Sequence, residues 1–130
     1  MMISSLLAVL AMGPGASTGA AAPPPAEAGS QAFGTAVAIS GDVAFVGETA
    51  SESHPGGVVH VYRHSGGSWS PDAVLTLPDA GAGTAFGNSL AVEGNTLLVG
   101  MRRFAQADSS RGGVQVFTLG SDGNWNNSGS

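Results

Sequence analysis

Two histidines, His60 and His64, and three carboxylates, Glu48, Glu52 and Asp108, are the side chains best suited to chemistry in this chain. The histidines stand four apart in HVYRH, within a segment that alternates as a strand does, so both fall on one side of it. At about 3.3 Å per residue they lie roughly 13 Å apart, too far to share an ion whose ligands sit at about 2 Å. They are expected to be peripheral polar residues. Glu52 with His54 offers two ligands from one loop, too few to hold a metal. Calcium loops alternate carboxylates with a glycine, so that oxygens wrap the cation. GETASESHPGG supplies only Glu48 and Glu52, and GMRRFAQADSSRGG sets Asp108 among Arg102, Arg103 and Arg111, which repel a cation. Glu48 and Glu52 stay weak metal candidates, no calcium is expected, and solvated polar loops are the default.

Covalent catalysis has no better footing. Ser89 lies in GNSLA, which lacks the second glycine of a nucleophile elbow and falls in an expected strand. HSGGS, residues 64–68, has the composition of a hairpin turn. GAGTAFG, residues 81–87, has the wrong glycine spacing for a dinucleotide loop and precedes no helical pattern. Asn126-Asn127-Ser128 matches the glycosylation triplet, a short pattern that chance also produces. Cysteine is absent, which removes disulfides, thiolate metal sites and thiol nucleophiles. Four arginines against nine carboxylates leave a formal charge of −5, a poor balance for binding phosphate backbones. No catalytic residue, cofactor, enzyme activity or nucleic-acid partner is expected.

The elements that would position these residues are written twice. QAFGTAVAISGDVAFVG, residues 31–47, aligns with TAFGNSLAVEGNTLLVG, residues 84–100, with Phe33-Gly34 on Phe86-Gly87 and Val46-Gly47 on Val99-Gly100. After a variable loop GVVHVY answers GGVQVF, and Trp69 answers Trp125. A period of about fifty residues marks stacked or radially arranged supersecondary units. In each copy two short apolar segments flank Gly-Asp or Gly-Asn and predict a hairpin. Both parities of those segments are apolar or small, which suits a strand covered on two faces. The third segment alternates and is expected to be more peripheral. The fourth contains Pro71, which only an edge strand accepts. Polarity is thus expected to rise from first strand to fourth, as in the blade of a β-propeller. A sandwich of hairpins also fits the strands but leaves the repetition unexplained.

Residues 1–22 hold a short apolar run followed by small residues, the pattern of a secretory signal, though no Lys or Arg precedes the run. A disordered Ala/Pro-rich tail is the other reading. The run is too short to span a bilayer as a helix. Residues 23–30 are expected to be an extended Pro/Ala linker.

FGTAVAISGDVAFVGE followed by GVVHVYRHSGGSW resembles the FG-GAP repeat of bacterial secreted proteins and, more distantly, of integrin alpha propellers. The resemblance covers residues 31–127, and Phe33, Gly34, Val46, Gly47, Phe86, Gly87, Val99 and Gly100 define it. Kelch repeats are similar in their double glycine, tyrosine and tryptophan, but there the glycine pair directly follows the second strand. The closing Gly-Ala-Pro of the FG-GAP pattern is reduced here to Gly47-Glu48-Thr49 and Gly100-Met101-Arg102. The resemblance implies an all-β chain of two consecutive propeller-like blades, each a four-stranded antiparallel sheet. The first repeat is expected at residues 31–83 and the second at 84–130, the latter stopping before its fourth strand. It also implies a secreted or extracellular binding or adhesion segment with a protein or carbohydrate ligand. The alternatives are a module that completes a propeller with further blades or copies of itself, or a fragment of a larger repeat protein. Rim loops carrying Glu48, Glu52, His54, Arg102, Arg103, Asp108 and Arg111 are the expected binding surface, with Glu48 or Glu52 approaching Arg102 or Arg103.

Overall fold

The computed structural model describes residues 32–103 and 111–129, so the expected signal and linker segments, and Asp108, lie outside the described residues. Eight strands follow in chain order: β1 (Phe33–Ser40), β2 (Val43–Glu48), β3 (Val58–Ser65), β4 (Ser68–Leu75), β5 (Ser89–Glu93), β6 (Thr96–Met101), β7 (Gly113–Leu119) and β8 (Trp125–Gly129). They form two four-stranded antiparallel sheets, ordered β1-β2-β3-β4 and β5-β6-β7-β8, with no helix among the described residues. These are propeller-like blades. Each begins with a two-residue hairpin whose first central residue, Gly41 (φ 56°) or Gly94 (φ 54°), takes the positive φ that such turns need.

Pro71 sits on β4, an edge strand, as its missing N–H requires. The β3–β4 register jumps there, from Val61 opposite Ala73 to Tyr62 opposite Pro71, so Asp72 is an extra residue in a bulge. The second sheet repeats the irregularity between Val116 and Phe117.

Two expectations are corrected. The second sheet is not cut short, because Trp125–Gly129 supplies a fourth strand. WNNSG carries no β-branched residue, but an edge strand needs only main-chain pairing and one buried anchor, here Trp125. Nor does burial fall steadily from first strand to fourth. β2 is buried throughout and β3 largely so, whereas β1 alternates between half-buried and exposed. β1 is an edge strand, and no described sheet covers its Val37 and Ile39 side.

The main core lies between the sheets. Val43, Phe45, Val59, Val61 and Leu75 meet Phe86, Leu97, Val99, Met101, Phe117 and Trp125, with Phe45 edge-on to Trp125 at 5.1 Å. Each such fully buried side chain contributes about 1.5–3 kcal/mol relative to exposure. A smaller cluster, Ala44, Val46, Tyr62 and Trp69 with Phe33 against it, occupies the far face of the first sheet. The sheets approach chiefly through β1 and β5.

The joint between them is built by the repeated dipeptides. Phe86 donates its amide to the Gly56 carbonyl at 2.9 Å and forms an isolated parallel bridge with Gly57. Gly87, at φ 86°, lies so close to Gly47 that a Cβ on Gly47 would run into the Gly87 carbonyl oxygen. Phe-Gly of one repeat thus plugs the Val-Gly of the one before it.

Candidate functional site

The segment of residues 76–88 crosses from β4 to β5 and passes between the β2–β3 loop and the chain leaving β6. On one side is the β2–β3 loop, residues 49–57. Its Ser51 and Gly57 amides donate to the His54 carbonyl at 3.1 and 3.0 Å, and the His54 amide donates to Ser51 Oγ at 3.1 Å. On the other side the chain leaving β6 is pinned to the crossing, since the Arg102 and Arg103 amides both donate to the Thr84 carbonyl, at 2.9 and 3.2 Å. The rim therefore presents exposed Glu52 and half-buried His54 on one flank, and exposed Arg102 and Arg103 on the other, with exposed Arg111 where the second loop re-enters β7. Among the described residues no cluster of three or more His, Cys, Asp or Glu is placed to hold a metal.

Glu48 does not belong to this rim. Its side chain shares a parity with Ala44 and Val46, which turns it into the far face of the first sheet, where it is 2% exposed. There Oε2 meets His60 Nε2 at 2.6 Å. Oε1 is buried and has no hydrogen-bond partner among the described residues. The expected approach of Glu48 to Arg102 or Arg103 is thus replaced by a buried pair with His60, because strand parity directs the carboxylate inward. His60 in turn is not peripheral: its side chain is 15% exposed and its ring lies 5.4 Å from that of Phe33. His64 does sit at the periphery, beside Trp69 at 5.1 Å and 3.7 Å from Asp42 Oδ1. The parity of Ala44, Val46 and Glu48 was the signal that could have located the pair.

In the second sheet Met101, Gln115 and Phe117 stand where Glu48, His60 and Tyr62 stand in the first. Gln115 is buried and donates from Nε2 to Asn127 Oδ1 and the Gly129 carbonyl, tying β8 to β7. The far face of the first sheet is therefore the more polar version of the face that the second sheet buries.

Tyr62, the single tyrosine, has its hydroxyl pushed up to about 12, first by burial and then by the Glu48 charge. The folded state holds this proton more tightly than an unfolded chain whose tyrosine titrates near 10, so stability is complete below about pH 10 and falls as pH rises to about 12. Following the tyrosinate absorbance of the native protein should give an apparent midpoint well above that of free tyrosine. Tyr62→Phe should flatten the alkaline loss of stability, and an unchanged loss in that variant would place its origin elsewhere.

A family model described as FG-GAP repeat matches residues 69–117. The window opens at Trp69 in β4 and closes at Phe117 in β7, so it takes in the crossing segment, the Phe86-Gly87 plug, β5, β6 and most of β7. No curated protein and no solved structure matches the chain.

Proposed function

We propose that this chain, an FG-GAP repeat protein, is a non-catalytic interaction module of an extracellular protein that takes a protein or carbohydrate ligand on its rim. FG-GAP repeat domains are typically extracellular, which favours that setting. No helix among the described residues is long and apolar enough to cross a membrane. The observation that carries the reading is the rim itself. The β2–β3 loop with Glu52 and the chain leaving β6 with Arg102 and Arg103 are fastened, one on each side, to a crossing segment that is locked into the inter-sheet joint. Variable loops on a rigid scaffold are the usual site of recognition. Exposed Arg102 and Arg103 favour an acidic group on the ligand, because a guanidinium matches a carboxylate or sulfate in a two-point contact.

The test is to present the full chain to arrays of neutral, uronic and sulfated glycans and to immobilised acidic proteins. Binding that falls about tenfold or more, or ~1.4 kcal/mol, in an Arg102→Glu, Arg103→Glu variant supports the rim. Binding indifferent to both substitutions, or turnover of an arrayed glycan, contradicts it. Calcium is a second check. Neither loop alternates carboxylates as a calcium loop does, so millimolar calcium should leave the melting temperature unchanged, and a clear rise would show a cation site in the fold.

A further inference from the structure

The crossing segment, residues 76–88, is pinned from both sheets, and its pins alternate. On the first-sheet side Gly56 packs so closely on Ala80 that a Cβ there would strike the Ala80 carbonyl oxygen, the Gly56 carbonyl accepts the Phe86 amide at 2.9 Å, and Gly47 closes on Gly87. Between those contacts, on the second-sheet side, the Thr84 carbonyl holds the Arg102 and Arg103 amides. Thr84 is itself buried, and the Arg103 side chain lies alongside Gly83. The anchor of the arginine flank is thus bracketed by contacts to the opposite loop.

The backbone is strained at this place. Among the described residues the non-glycine positions with a positive φ are Asp79 (66°) and Ala85 (52°), and both lie in the crossing segment. Aspartate tolerates the left-handed region because its short polar side chain can bond locally, whereas alanine has no such relief. Ala85 is buried between the Thr84 carbonyl and the Phe86 amide, each of them hydrogen-bonded to a different sheet's loop. A strained conformation of this kind persists only where its surroundings over-determine it.

We propose that the crossing segment is a sprung strap and that Gly56 is a positioning residue for the rim. Its seat on Ala80 and Phe86 keeps Ala85 left-handed and the Thr84 carbonyl under the Arg102 and Arg103 amides. When that seat is lost, Ala85 relaxes to ordinary backbone angles, the Thr84 carbonyl swings away and the arginine flank is freed. Coupling of this kind runs both ways, so an acidic ligand that clamps the two arginines also holds the blade joint shut. The ligand's part rests on the rim's taking an acidic group; the strap itself does not.

The experiment is native-state hydrogen exchange on the full chain without ligand, which decides on the strap separately from what the rim binds. Gly56→Ala should speed exchange of the Arg102 and Arg103 amides about tenfold or more relative to the core amides of β6, although the change is made in the opposite loop. In an Ala85→Gly background, where left-handed angles carry no strain, the same substitution should speed them about fivefold less. Ser51→Ala takes the acceptor from the His54 amide and loosens the β2–β3 loop. It replaces Gly56→Ala if that variant loses its strand circular dichroism, and should act in the same direction. Arginine amides that gain no speed over those of β6 in the loop variant overturn the proposal. So does an acceleration that Ala85→Gly leaves unchanged, since Gly56 would then be a packing residue and not the seat of a sprung strap.

Discussion

Gly47→Ala is expected to destabilise the protein by about 3 kcal/mol, the upper end of what overpacking costs in a well-packed interior. The three atoms nearest the added Cβ are main-chain, the Gly87 carbonyl oxygen and carbon and its Cα, so the closest clash cannot be relieved by rotating a side chain. Relief requires the two sheets to part, which uncovers the Phe45–Trp125 contact and the core around it. The corresponding substitution in the second sheet provides the contrast. A Cβ on Gly100 meets the Ser89 side chain first. Gly100→Ala in a Ser89→Ala background should therefore cost about 1 kcal/mol or less. Urea unfolding of the variants measures both, and equal losses at the two glycines would mean that the joint is not what demands glycine at position 47.

His60→Ala is expected to cost about 3–5 kcal/mol, because it strands the Glu48 carboxylate in the interior with neither oxygen partnered. Replacing both residues by their counterparts in the second sheet, Glu48→Met with His60→Gln, should recover most of that loss. A buried polar pair exchanged for side chains of similar volume is often neutral or stabilising, since the cost of desolvating the pair is avoided. Comparing the single and double variants by denaturant unfolding separates the two effects. A His60→Ala loss below about 1 kcal/mol would mean that the pair behaves as an exposed one.

Much of the architecture was legible before any coordinates. Gly41-Asp42 and Gly94-Asn95 mark hairpins through their own backbone demands, Pro71 marks an edge, and the doubled Phe-Gly and Val-Gly mark two like units. What those dipeptides do to each other was not legible, because Gly47 and Gly87 meet across a long stretch of chain and glycine carries no side chain to advertise a partner. Trp125–Gly129 was passed over because local composition governs how a segment reads, whereas pairing with β7 decides what it becomes. The burial of β1 was overestimated for a related reason: an apolar strand states that it wants cover, and whether cover is present depends on a neighbouring sheet.

The candidate site shows the same division. Glu52, Arg102 and Arg103 are exposed and His54 is half-buried, the surroundings that the composition of their segments suggests. Glu48 was misplaced because it reads as the first residue of an acidic loop, when it is the last residue of a strand whose parity points inward. One residue of difference in where β2 ends converts a surface charge into a buried one.

The central claim is that Phe86 and Gly87 lock two blades into one body. Native-state hydrogen exchange at the Phe86 amide tests it most directly, because that N–H bonds across the joint to the Gly56 carbonyl and belongs to no strand of either sheet. If the joint is formed, Phe86 exchanges only with global unfolding, as slowly as core amides of β2 and β6. If Phe86 exchanges as fast as the exposed loops while the strands stay protected, the two sheets are separate bodies and the account fails.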